Sequence, residues 1–226
     1  RALALINLAH PKFRPELLAA AKRLRYLYED QLLPPGESAQ YPDEWEVSQP
    51  CGENDKVLFR PVKPTDERSL QEFFHALPHH GSYVRFISAM RVFPQPNLQA
   101  LINVDYEKEM SVVGVVGDMG SENIIALGRY VLDEENNMAE VDFAVRQEWQ
   151  GKGVGSYLLN HLVQIARSKN IAGFIAYVDP SNQGAAAVFH NTGYVVHRSL
   201  SKGIHRITIY FGQPAQQCFT DPAGSS

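Results

Sequence analysis

The chain has 226 residues, 44% of them hydrophobic, enough for one sizeable domain with an appendage or for two small domains. A net charge of −4 speaks against a nucleic-acid-binding surface, and its eight histidines and two cysteines show no spacing that would hold a metal. No apolar run approaches the roughly 20 residues that cross a bilayer as a helix, and Cys51 and Cys218, with no CxxC pair, suit a reducing compartment.

With Arg1 in place of an initiator methionine, a cytoplasmic piece of a longer polypeptide is expected. Residues 15–33 set Leu17, Ala21, Leu24 and Tyr28 on one helical stripe, with Pro15 in the first turn and the "PPG" at 34–36 as the stop. The polar, proline-bearing residues 34–55 have no period and read as a linker. A regular domain is expected over 56–212, followed by a patternless tail, 213–226.

Within that domain "KVLFRPV" reads as a strand. The segment "TDERSLQEFFHAL" follows as a helix, with Thr65 placed to cap it and Leu70, Phe73, Phe74 and Leu77 on one face. A shorter helix is expected in "HGSYVRFISAM". Two strands, "EMSVVGVVGD" and "NIIALGRYVL", come next, and "DEENN" turns the chain into a third, "MAEVDFAVRQ". There Val141, Phe143 and Val145 share one face, and Glu140, Asp142 and Ala144 the other. A glycine-rich stretch opens a helix whose buried stripe is Leu158, Leu159, Leu162, Ile165 and Ala166. "GFIAYVD" is a strand, "NQGAAAVFHNTG" a helix, and "HRITIYF" the last strand. Helices and strands mix without strict alternation, which predicts an α+β fold on a sheet of mixed direction.

The glycines raise a chemical question. A strand, a glycine turn and a helix start together form an anion site, because the first N–H groups of a helix lack partners and its dipole favours negative charge. A glycine-rich turn that merely redirects the chain is the plain alternative. The spacing is neither that of a P-loop nor the GxGxxG of dinucleotide folds, since Gly151, Gly153 and Gly155 form GxGxG. What remains is Gln150-Gly151-Lys152-Gly153-Val154-Gly155, in which Lys152 adds a positive charge.

That pattern resembles the acyl-CoA pyrophosphate loop of the GNAT N-acetyltransferases. "NQGAAAVFHNTGY" is similar to their Asn-x-x-Ala…Gly-aromatic helix, with Asn182, Ala185, Gly193 and Tyr194 in step. "SYVRFIS", "NVDYEKEMSVVGVV" and "AEVDFAVRQEWQGKGVGSYLL" resemble bacterial protein-lysine acetyltransferase domains more narrowly. The resemblance implies a GNAT fold, a central, mostly antiparallel mixed sheet flanked by helices. It also implies acetyl-CoA as cosubstrate, bound by Phe143, Ala144, Val145, Gln150, Gly151, Lys152, Gly153, Val154, Gly155, Ser156 and Asn182. Residues 1–33 resemble the C-terminal end of acetyl-CoA hydrolase/transferase proteins, which implies a helical stub of such a domain.

Acetyl transfer to an amine needs a base, because a lysine with a pKa near 10.4 is neutral in roughly one molecule in a few thousand at pH 7. Glu140 occupies the strand position of the family's general-base glutamate, with Asp142 on the same face. The family's usual thiolate-protonating tyrosine falls on Phe189, so either no side chain serves as the acid or His190 or Tyr194 substitutes. The leading expectation is acetylation of a protein lysine, without a metal, nucleic acid or membrane partner. A small amine acceptor remains open, as does a non-catalytic acyl-CoA sensor serving a fused CoA-transferase.

Overall fold

The computed structural model of the protein describes residues 13–28, 41–52, 55–77, 104–117, 122–201 and 203–214, with positions 2, 5, 6, 9, 98, 101 and 102 besides. The helix expected in "HGSYVRFISAM", the "PPG" stop, His79, His80 and the end of the tail lie outside these residues. The strands are β1 (Val47–Cys51), β2 (Asp55–Pro61), β3 (Glu109–Val116), β4 (Asn123–Asp133), β5 (Met138–Val145), β6 (Gly173–Val178), β7 (Tyr194–Ser201) and β8 (Ile204–Pro214). The helices are α1 (Arg14–Arg23), α2 (Glu67–Ala76), α3 (Val154–Ser168) and α4 (Gln183–His190).

The strands form one sheet in the order β1-β2-β3-β4-β5-β6-β8-β7. All pairings are antiparallel except β5 with β6, so the expected mixed, mostly antiparallel α+β fold is what forms. Cross-strand partners define two faces. Gly128 opposes Phe143 and Tyr130 opposes Val141, on the face that α3 covers; Arg129 opposes Asp142 and Val131 opposes Glu140, on the other. The alternation read from "MAEVDFAVRQ" is therefore the alternation of the sheet.

Helix α3 is seated by its whole expected stripe, since Leu158, Leu159, Leu162, Ile165 and Ala166 are all buried. Each buried leucine contributes about 1.5–3 kcal/mol relative to exposure. Gly128 lets the helix approach β4 closely, because a Cβ there would lie 2.8 Å from Leu162 Cδ1. Leu70, Phe73, Phe74 and Leu77 are buried as expected on the opposite side, where α2 packs on β4. Thr65 does not cap α2; it sits in a 3-10 turn, Pro64–Asp66. There Asp66 accepts the Lys63 N–H at 2.7 Å and makes a two-pronged pair with buried Arg60 at 2.7 and 2.8 Å.

Three expectations need correction. The range read as a linker, 34–55, contains β1 and the start of β2. Strand β1 is a sheet edge, which tolerates Pro50, and its inward residues Val47, Gln49 and Cys51 alternate with exposed Ser48 and Pro50. Strand β7 lies where the sequence offered no element, and its residues are mostly exposed, so no apolar period marks it. Helix α1 ends at Arg23, with Arg25 in the left-handed region; Ala21 is buried while Leu17, Leu24 and Tyr28 are exposed.

Candidate functional site

Strands β5 and β6 pair only at Met138, Ala139 and Glu140, opposite Gly173, Phe174 and Ile175. Beyond Glu140 the two strands part. Strand β6 continues beside β8 as far as Val178, and β5 stays on β4 to Val145. Among the described residues, no strand lies beside the β6-side backbone of β5 between Val141 and Ala144, an edge onto which an extended polar chain can pair.

A cavity of about 650 Å³ opens at this fork. Phe143, Ala144 and Val145 form one wall; Gln150, Gly151, Gly153, Gly155 and Ser156 form the floor; and Asn182, with the first turn of α4, forms the far wall. The structure thus brings nine of the eleven expected cofactor residues together. Val154 is buried in the core and Lys152 does not line the cavity; its ammonium lies 3.1 Å from Asp55 and 4.4 Å from the centre of the Trp149 ring.

The glycines divide by cause. Gly151 and Gly153 have φ of +75° and +82°, a conformation that costs an L side chain about 1–2 kcal/mol, and a Cβ on either would touch nothing within 4 Å. They are required by the path of the chain. Gly155 has an ordinary helical backbone, and a Cβ there would meet Val145 and Val188 at 3.6 Å, normal contact distance. The first helical hydrogen bond runs from Tyr157 N–H to Gly153 C=O at 2.9 Å. The N–H groups of Val154, Gly155 and Ser156 therefore have no intrahelical carbonyl to reach, and the positive end of the α3 dipole faces the cavity.

Two side chains hold the frame. The Gln150 amide donates to Val145 C=O at 3.0 Å and ties the loop to the end of β5. Asn182 Oδ1 accepts the Ala185 N–H at 2.9 Å and caps α4. Sequence reasoning missed Ser181, Gln183, Ala187, Val188 and Asn191, which line the α4 wall. The small residues of "NQGAAA" were the available signal, since only short side chains leave space along that helix.

On the opposite face Glu140 is exposed at the last rung before the fork. It borders a second recess of about 400 Å³ with Asp142, Asp133, Arg129, Val131 and Leu132. Asp142 is buried and opposes Arg129, whose Nη2 donates to Glu109 Oε2 at 2.7 Å. Phe189 is fully buried, and neither His190 nor Tyr194 lines the main cavity. The Tyr194 hydroxyl instead accepts from Arg167 Nη1 at 3.2 Å. Among the described residues no group of three or more His, Cys, Asp or Glu could hold a metal ion, and no helix is long and apolar enough to cross a membrane.

The GNAT domain of a Streptomyces lividans protein named PAT superposes with a TM-score of 0.67 at 26% identity, covering 76% of this chain and all of that one. The acetyltransferase Pat of Mycolicibacterium smegmatis is 34% identical over 141 residues, which are 60% of this chain but 40% of that protein. An acetyltransferase of Pseudomonas aeruginosa is 24% identical over 170 residues, 74% of this chain and 90% of its own length. The model of the acetyltransferase (GNAT) family matches residues 69–194, more than half of the sequence and the segment that carries both the fork and the glycine loop. The chain belongs to the acetyltransferase (GNAT) family and is an acetyl-CoA-dependent N-acetyltransferase.

Proposed function

We propose that the chain transfers the acetyl group of acetyl-CoA to the side-chain amine of a protein lysine, with Glu140 as the general base. The observation that carries this reading is the position of Glu140. It stands on the last paired rung of β5, with the fork and its cavity ahead of it and the carboxylate-lined recess on its own face. Phe143 follows three residues on, about 10 Å along an extended strand. A cosubstrate in the fork and an amine in the recess can therefore meet near Glu140.

Acetyl-CoA supplies an activated thioester. The N–H groups at the start of α3 receive its pyrophosphate, helped by the dipole. The free edge of β5 pairs with its pantetheine arm, and a β5 N–H stabilises the oxygen of the carbonyl as negative charge develops there. Glu140 takes the proton of the incoming ammonium, directly or through a water. The neutral nitrogen then attacks the carbonyl carbon, the C–N bond forms, the C–S bond breaks, and the proton left on the nitrogen passes to water. A thiol pKa near 8.5 lets the thiolate leave without a side-chain acid. The choice of a protein lysine rests on the resemblance of the segment around the glycine loop to bacterial protein-lysine acetyltransferase domains. The acetyltransferase Pat is 34% identical, but the chain spans 40% of that relative's length, so the likeness speaks for the shared part alone.

The test is release of CoA from acetyl-CoA in the presence of a lysine-rich protein, for wild type and Glu140→Gln. Acceptor-dependent release that falls by about 100-fold or more in the variant is expected of a lost general base. Equal rates would remove Glu140 from the mechanism. Release with a polyamine but not with protein would make the acceptor a small amine.

A further inference from the structure

Lys152 is the one cation in the glycine loop, and its ammonium is turned away from the cavity. Nζ lies 3.1 Å from Oδ2 of Asp55, the first residue of β2 and 97 positions away in sequence, and 4.4 Å above the Trp149 ring. The stem of the side chain runs along the β1–β2 turn: a Cβ on Gly52 would lie 3.4 Å from Lys152 Cδ. Gln150 secures the loop's entrance and buried Val154 its exit, but between them Gly151 and Gly153 have open space where side chains would be. Among the described residues, the contact with Asp55 is the sole side-chain ion pair or hydrogen bond made by residues 151–156.

We propose that Asp55 and Trp149 are positioning residues that grip Lys152 and thereby latch the glycine loop against the β1–β2 turn. Lys152 acts through where it is held, without touching the phosphate. This rests on the reading that the loop receives the CoA pyrophosphate. A two-glycine loop loses more freedom on ordering than any other sequence of its length, and a latch supplies that order before the ligand arrives. The benefit therefore falls on acetyl-CoA binding and leaves the chemical step alone. An exposed ion pair and an exposed cation–π contact are each weak, so their joint loss is worth about three- to tenfold in KM.

The experiment uses the chain as it stands, with Asp55→Ala, Lys152→Ala, the double variant and Lys152→Arg. NMR order parameters of the backbone amides in the ligand-free protein read the latch directly. Both alanine variants and the double variant should lower the order parameters of residues 151–156 to a similar extent, while Lys152→Arg, which keeps the charge and the stacking, stays near wild type. Unchanged order parameters in Asp55→Ala would overturn the latch. Acetyl-CoA kinetics supply a sign: Asp55→Ala should raise KM with kcat unmoved. If Lys152 instead contacted the phosphate, Asp55 would compete for it, and Asp55→Ala would tighten binding while Lys152→Ala weakened it; that pattern also overturns the proposal. Lowered order parameters with acetyl-CoA affinity unchanged in every variant would uphold the latch and sink the pyrophosphate-loop reading.

Discussion

Phe143 and Phe189 pack ring against ring, centroids 5.9 Å apart, with Phe143 on the cavity wall and Phe189 fully buried behind it. The position where the sequence resemblance leads one to expect a thiolate-protonating tyrosine is thus filled by hydrocarbon. The two alternatives nearest in sequence are engaged elsewhere: His190 is exposed outside the cavity, and Tyr194 packs on Phe211 and accepts from Arg167.

Neither His190 nor Tyr194 should therefore matter to the chemistry. His190→Ala and Tyr194→Phe are expected to keep kcat within about twofold of wild type, against the roughly 100-fold or greater loss that follows removal of a general acid. With no side-chain acid that must stay protonated, the pH profile of kcat/KM should show no descending limb below pH 9. A loss of 100-fold in either variant would name the missing acid.

The division among the glycines gives a second expectation. Gly153→Ala places a side chain at φ +82°, so it should destabilise the fold by about 1–2 kcal/mol, seen as a lower urea midpoint. Gly155→Ala meets only ordinary contacts in an α-helix and should hold or raise stability by about 0.4–1 kcal/mol. Its methyl group nevertheless enters the cavity floor, so acetyl-CoA affinity measured by calorimetry should fall. Unchanged affinity in Gly155→Ala would place the pyrophosphate elsewhere. Gly155 is the better probe, because stability and binding separate there and are confounded at Gly153.

How far the sequence could be read depended on burial. Helix α3 has one covered face, and strand β5, buried on both faces except at Glu140, still sets Glu140 and Asp142 against the apolar Val141, Phe143 and Val145, so their periods of 3.6 and 2 were legible, and with them the glycine loop between. Strands β1 and β7 are the two edges of the sheet. The first is interrupted by Pro50, and the second runs Val195, His197, Arg198, Ser199 and Leu200 largely in solvent, so neither wrote a clean alternation. The stripe of α1 misled for the converse reason: Leu17, Leu24 and Tyr28 have helical spacing but are not buried in this chain. At the site, residue types and spacing disclosed the backbone features. The direction of the Lys152 side chain depended on Asp55, 97 residues away, which no local pattern could disclose.

The last expectation concerns His161, which joins the site's helix to the segment ahead of β1. It is buried on α3, stacked on Tyr157 and edge-on to Trp45, with Nε2 3.0 Å from the Trp45 carbonyl. A carbonyl can only accept, so Nε2 carries the hydrogen and donates. Burial holds the imidazole below its usual pKa of 6.5, outweighing the opposing effect of that hydrogen bond. Above pH 6.5 both the folded and unfolded states are neutral here, and the contribution to stability is complete. As pH falls through 6.5 the unfolded chain takes up a proton that the folded one refuses, so stability declines until the folded pKa is reached. Urea midpoints should therefore drop between pH 7.5 and 5.5, and His161→Gln, whose amide can still donate to Trp45 but does not titrate, should flatten that slope. Equal slopes in the two proteins would mean that another group sets the acid sensitivity. Because the N-terminus of α3 opens onto the cavity two turns before His161, local loosening there should also appear as faster amide exchange along α3 at pH 5.5, in wild type and not in the variant.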